Sequence, residues 1–205
     1  MLKKVTPHRL LLLFILIYFV IGIFVAGDYG ASIDHSQETD RAEIALRRYA
    51  IPDRGDPVGE YLSLGINQYY GTAQMSIFLL VENALQPVLN TPRYDILHFM
   101  FFASFLMGIY AIYFLAKRWL NEWTSLVVAL LFGLQPLFFG HSFINPKDIP
   151  IMSFFIVAMV LGFRMADKLE AAARPEPGYF QRLSRSARKE WDTLPKRRRR
   201  WLLGR

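Results

Sequence analysis

Two groups of polar residues stand beside apolar runs and are of types that do chemistry. The first is a set of carboxylates, Asp28, Asp34, Glu38, Asp40 and Glu43, soon after the first apolar stretch. The second is His141, Asn145, Lys147 and Asp148, between two later apolar stretches. Ionisable groups held at a membrane boundary are costly to desolvate, so they mark either function or a specific pairing. A carboxylate at the mouth of a cavity can take a proton from a hydroxyl or hold a divalent cation. A lysine beside it can pair with phosphate. Each residue also has a structural reading. Asp34 can be a solvated loop residue or the cap of a helix starting near Ser36, and Asp148 can cap the following helix. Lys147 can pair with Asp148 or Asp34 or face headgroups, and His141 can be an interfacial histidine. No familiar metal motif, phosphate loop or hydrolase triad is present in the 205 residues.

The elements that must position these residues are membrane helices. Of the chain, 53% is hydrophobic, with 17 Phe and 10 Tyr, and the apolar residues fall in long runs separated by polar stretches. Leu10–Ala26, about 17 residues, is long enough to span a bilayer. Basic residues precede it, but it ends in Gly27-Asp28-Tyr29-Gly30 rather than a small-x-small cleavage pattern, so it reads as a retained signal anchor. Gly27 is a plausible left-handed helix stop. Further spans are expected over Tyr94–Ala116, Trp123–Phe139 and Ile149–Met165, with Pro150 tolerated in the first turn of the last. The short turn Trp119–Glu122 makes the second and third spans antiparallel neighbours. Between the first two spans, Gln37–Tyr49 carries Ala42, Ala45, Leu46 and Tyr49 at helical spacing, and Pro52, Gly55, Pro57 and Gly59 then break the pattern. Thr72–Leu89 is apolar but interrupted by Glu82, Asn83 and Gln86. It reads as a juxtamembrane or partly re-entrant helix with its polar side toward a cavity; the alternative, a true span, gives five crossings and spoils the charge asymmetry. The fold class expected is an all-α integral membrane protein of about four transmembrane helices plus a juxtamembrane helical outer loop.

Charge supplies the orientation. Lys3, Lys4 and Arg9 precede the first span, Lys117 and Arg118 separate the second and third, and Arg164 at the end of the fourth is followed by Lys168 and Arg197–Arg200. With four spans all three sets fall on one side, which the positive-inside rule makes the cytoplasm. Both termini are then cytoplasmic, and the carboxylates and the 140–148 segment share the outer side. The net charge of +7 is explained by these flanks and by contact with anionic membrane lipid, so no nucleic-acid partner is expected. Without cysteine, neither a disulfide framework nor a thiolate metal site is available. A small transporter is disfavoured, because no span carries repeated polar interruptions and no inverted repeat is visible.

The wording of the two polar segments adds a resemblance. Asp28-Tyr29-Gly30-Ala31-Ser32-Ile33-Asp34, directly after the first span, resembles the start of bacterial GT-C glycosyltransferases. These are the polyprenyl-phosphate-sugar-dependent enzymes of the protein mannosyltransferase type. Pro136–Pro150 looks like the second outer loop of the same group, and Tyr70-Gly71 with the following helix like its juxtamembrane region. The resemblance covers roughly residues 8–168.

It implies transfer of a sugar from a polyprenyl-phosphate donor to an acceptor on the outer face of a bacterial inner membrane. Asp34 would match the first-loop acidic residue, as general base or metal ligand. The Glu expected to follow is His35 here, and Glu38, one helical turn on, is the carboxylate that could substitute. Lys147 would suit the lipid phosphate and Asp148 a second acidic position, with His141 and Asn145 beside them on the substrate. The need for a divalent metal is left open. The implied organisation is a membrane module over 1–168, with outer loops 27–93 and 140–148, and a basic cytoplasmic tail over 169–205. GT-C enzymes have more spans than this, so a missing C-terminal portion or a partner subunit is expected. The rival reading is a non-catalytic membrane protein that binds a polyprenyl lipid or a larger subunit. In an enzyme Asp34, Lys147 and Asp148 should converge on one cavity, and in an interaction module they can point apart.

Overall fold

A computed structural model describes residues 5–50, 71–173 and 179–195, and among these all regular structure is helical. The sequence-derived features at Lys3 and Lys4, Pro52–Glu60, Tyr70 and Lys196–Leu203 lie outside the described residues. The helices are α1 (Pro7–Val25), a single 3-10 turn (Ala26–Asp28), α2 (Ile33–Ala50), α3 (Ala73–Leu89), α4 (Arg93–Ala116), α5 (Glu122–Gly133), α6 (Pro136–Ile144), α7 (Asp148–Ala173) and α8 (Tyr179–Thr193). The chain divides into two compact units, residues 1–161 and 162–205. The candidate site and all packing described below lie in the first. The second holds the end of α7 and the exposed, basic α8 residues Arg185, Arg188 and Lys189.

Three stretches are long and apolar enough to cross a membrane: Pro7–Asp28, Arg93–Ala116 and Asp148–Ala171. A fourth crossing is made if α5 and α6 act together as one broken span. The protein is therefore a multi-pass membrane protein, with the three long spans at the expected positions. The third expected span is not a single rod. α5 and α6 meet at 57°, because Pro136 clashes with a helical conformation at the residue before it. Gln135 is accordingly extended, at ψ 114°, and Pro136 opens α6, where its missing N–H costs nothing. Gly27 does not act as a left-handed stop. α1 tightens instead into the 3-10 turn, and a Cβ on Gly27 would lie 3.3 Å from Asp95 Oδ2. The left-handed residue is Asn90 (φ 48°), which ends α3 with its N–H on the Gln86 carbonyl. Pro92 then starts α4, so α3 and α4 form a tight antiparallel pair.

α4 is the central helix. Phe101, Phe102, Phe105, Ile109 and Tyr113 along it are wholly buried, and α1, α3, α5 and α6 all pack on it. α1 instead exposes Leu13, Leu16, Ile23 and Phe24, the surface expected to meet lipid. Because lipid is as apolar as these side chains, helix association depends on close packing rather than on burial from water. Gly22 and Gly108 allow that approach. A Cβ at Gly22 would overlap the Phe102 ring, and one at Gly108 would stand 2.6 Å from Ser153 Oγ of α7. At the Asp34 end of the bundle the rings of Tyr29, Phe143 and Phe102 stack in series, at 4.7 Å and 4.4 Å between centroids. Offset aromatic pairs contribute about 0.5–1.5 kcal/mol each beyond simple burial. This stack fastens the segment that leads into α2 against α6.

α2 lies against α3 and α4 through a second apolar cluster of Ala42, Met75, Phe78, Leu79, Leu97 and Phe101. Charge pins it further. Arg93, at the start of α4, reaches Glu43 of α2 at 2.7 Å and Glu82 of α3 at 3.2 Å. Glu82 is wholly buried. The polar side of α3 thus faces an arginine rather than a cavity, while Asn83 and Gln86 are exposed. At 17 residues α3 is not among the candidate spans.

Candidate functional site

The link between α6 and α7 is built by one side chain. Asn145 Oδ1 accepts the backbone N–H groups of Lys147 (3.0 Å) and Asp148 (2.8 Å), satisfying donors that a helix start leaves unpaired. Its amide donates to Asp148 Oδ2 at 2.9 Å. Gln74 of α3 donates to the Pro146 carbonyl at 2.9 Å, tying the link to the neighbouring helix. With its backbone held this way, Lys147 projects toward the first two turns of α2.

There the two distant polar segments meet. Lys147 Nζ lies 2.7 Å from Glu38 Oε1 and 3.7 Å from Asp34 Oδ2. Glu38 also accepts from Arg41, one turn further along α2, whose guanidinium is wholly buried. Burial pushes the Lys147 ammonium toward neutrality, but the hydrogen bond and charge of Glu38, with Asp34, outweigh it and hold the group above the ordinary lysine range. The Asp34 side chain remains 59% exposed while that of Glu38 is 6% exposed. One carboxylate is therefore open to an incoming group and the other is committed to the two cations. Asp34 also lines a small cleft of about 130 Å³ with Ser32, His141, Ile144, Asn145 and Pro146. An open carboxylate beside a fixed ammonium can accept a proton on one side and stabilise an oxyanion on the other. Among the described residues no group of three or more His, Asp or Glu is placed to hold a metal ion.

Of the six residues given site roles from the sequence, five come together: Asp34, Glu38 and Lys147 in the charge cluster, His141 and Asn145 on the cleft wall beside Asp34. Asp148 is the outlier, since its carboxylate is engaged by the Asn145 amide. Arg41 escaped the sequence reading, although its place one turn from Glu38 and two turns from Asp34 was a usable signal.

His35 turns the other way, into the protein. It is wholly buried against Tyr94 (4.8 Å between centroids), His98 (5.4 Å) and Phe101 (5.5 Å), and neither ring nitrogen has a hydrogen-bond partner among the described residues. Burial, then the nearby His98 and Arg93, lower its pKa from 6.5 to about 4. The unfolded chain therefore takes up a proton near pH 6.5 that the native protein refuses until about pH 4. Stability is complete above pH 6.5 and falls as the pH drops through that window, by on the order of 3 kcal/mol. Unfolding midpoints in detergent across this range should show the fall in the native sequence and a flatter profile for His35→Phe. Equal slopes in the two proteins would refute the assignment.

Comparison with known proteins bears on the helices that carry Lys147. Residues 93–173 match the family described as dolichyl-phosphate-mannose-protein mannosyltransferase. This segment is a domain of that family. Neither the curated proteins nor the solved structures gave a match. The mannosyltransferase-family segment runs from the start of α4 to the end of α7 and so includes His141, Asn145, Lys147 and Asp148. Asp34, Glu38 and Arg41 lie outside it, and only tertiary packing brings them to its Lys147. The chain thus carries a membrane glycosyltransferase domain of this family.

Proposed function

We propose that the cleft at Asp34, with the Lys147 cluster beside it, is the reaction site of a glycosyltransferase that moves a sugar from a polyprenyl-phosphate donor to an acceptor hydroxyl or amine. The observation that carries this reading is the position of Lys147 Nζ between Glu38 and Asp34, at 2.7 Å and 3.7 Å. The acceptor heteroatom attacks the anomeric carbon, the bond from that carbon to the phosphate oxygen breaks, and polyprenyl phosphate leaves. Asp34 takes the acceptor proton. Lys147, kept protonated by its carboxylate neighbours, faces the negative charge gathering on the leaving phosphate, an interaction that strengthens in the transition state. Glu38, itself held by Arg41, fixes the lysine, and His141 and Asn145 line the sugar side.

The lysine and arginine flanks support a reading in which the cleft faces the outer side of the membrane and both ends of the chain are cytoplasmic, and the resemblance to bacterial GT-C enzymes makes that membrane a bacterial inner membrane. In this reading residues 1–168 are the membrane module and 169–205 a basic tail on anionic lipid. Membranes containing the chain, supplied with a labelled polyprenyl-phosphate mannose, should yield labelled acceptor. Asp34→Asn, which keeps the shape and loses the base, should lower the yield about 100-fold. Equal yields from the two proteins would overturn the role of Asp34.

A further inference from the structure

A second cavity lies apart from the charge cluster. It is an open groove of about 460 Å³ whose walls are the end of α1 (Phe19, Ile23, Phe24), the end of α3 (Leu85, Leu89) and the beginning of α4 (Phe99, among others). That volume is in the range of small-molecule sites, about 300–1,000 Å³. Both α1 and α4 are candidate spans, so the groove opens to the hydrocarbon of the bilayer. Phe24 is 77% exposed and Leu89 54%, leaving an apolar surface that lipid must cover.

The lining includes a single ionisable residue, Asp95, in the first turn of α4. No ion pair or side-chain hydrogen bond to its carboxylate is found among the described residues, and it is half-buried. Its charge acts on the buried His98 one turn on, whose Nδ1 is engaged by the Ala26 carbonyl. An anion at the start of a helix is tolerated because the helix dipole favours it there. These account for its charge but leave the carboxylate without a hydrogen-bonded cation at the edge of an apolar groove, where an ionisable group calls for a counter-charge. Asp95 would repel a headgroup of net negative charge and attract an ammonium.

We propose that this groove binds a phospholipid with a primary-ammonium headgroup, one acyl chain lying along Phe19, Ile23, Leu85 and Phe99 and the ammonium on Asp95. This site is independent of the transferase reading, since it uses neither Asp34 nor Lys147.

Native mass spectrometry of the full chain, released from detergent with dioctanoyl phosphatidylethanolamine or dioctanoyl phosphatidylglycerol, tests it. The ethanolamine lipid should be retained about tenfold more strongly, the effect of one charge-assisted hydrogen bond. Asp95→Asn should erase that preference while still binding both lipids weakly. Leu89→Trp, which fills the groove from an exposed position, should lower retention of both. Equal retention by the native protein, a preference that survives Asp95→Asn, or a groove closed by a second copy and seen as a lipid-free dimer would each overturn the proposal.

Discussion

Lys147→Met is expected to lower sugar transfer about 1,000-fold while leaving the protein folded. The methionine keeps the length and apolar stem of the lysine and removes its charge. Two effects then act together. The leaving phosphate loses the cation placed to meet it, a kind of loss that costs about 100- to 1,000-fold where a single preorganised donor is removed. Asp34 also loses the ammonium that sets its position 3.7 Å away, so the base is less well aimed. The fold should survive, because the nearly buried Glu38 keeps Arg41 as its partner and the link at residues 145–148 is held by Asn145 rather than by the lysine side chain. Transfer assays on membranes, paired with an unfolding midpoint for each protein, separate the two possibilities. Native-like transfer by a folded Lys147→Met protein would remove the lysine from the mechanism.

The largest effect on stability is expected at Arg93, which has no part in the proposed chemistry. Arg93→Ala leaves Glu82 wholly buried with no cation beside it and frees Glu43 from its contact to α4. Taking one partner from a buried ion pair costs about 3–5 kcal/mol, mostly the desolvation of the charge left behind. The double variant Arg93→Leu with Glu82→Leu should recover most of that loss, since an apolar pair avoids the penalty altogether. A double-mutant cycle on unfolding in detergent measures the coupling. A cost under about 1 kcal/mol for Arg93→Ala, the range of an exposed pair, would show that Glu82 does not depend on it. Arg93→Ala should also reduce transfer, because α2 carries Asp34 and Glu38, and a loosened α2 cannot hold them on Lys147.

The membrane helices were legible because length and apolarity are local properties. Leu10–Ala26, Tyr94–Ala116 and Ile149–Met165 contain too few charges to be anything but apolar helices, and the structure extends them by only a few residues, apart from the longer end of α7. The helix over Gln37–Tyr49 was visible in its spacing, though its start at Ile33 was not. The break in the third crossing was written in Gln135-Pro136, but the apolar run continues across it, so hydropathy alone hid a bend that backbone sterics impose.

The candidate site divides along the same line. Residue type marked Asp34, Glu38, His141, Asn145, Lys147 and Asp148 as groups costly to place at a membrane boundary. Which of them meet was decided by packing. The stacked rings of Tyr29, Phe143 and Phe102 and the Asn145 link bring the start of α2 to Lys147. The helical rotation between adjacent residues sends His35 inward while its neighbour Asp34 stays exposed. That the chain crosses a membrane, and which of its polar residues are expensive to keep there, could be read from residue order alone, because both follow from transfer free energies of single residues. The Asn145–Asp148 contact is also local, three residues apart. The pairing of Lys147 with Glu38 and Asp34, and of Arg93 with Glu82, could not be read that way, because these charges are distant in the chain and meet only when the helices pack.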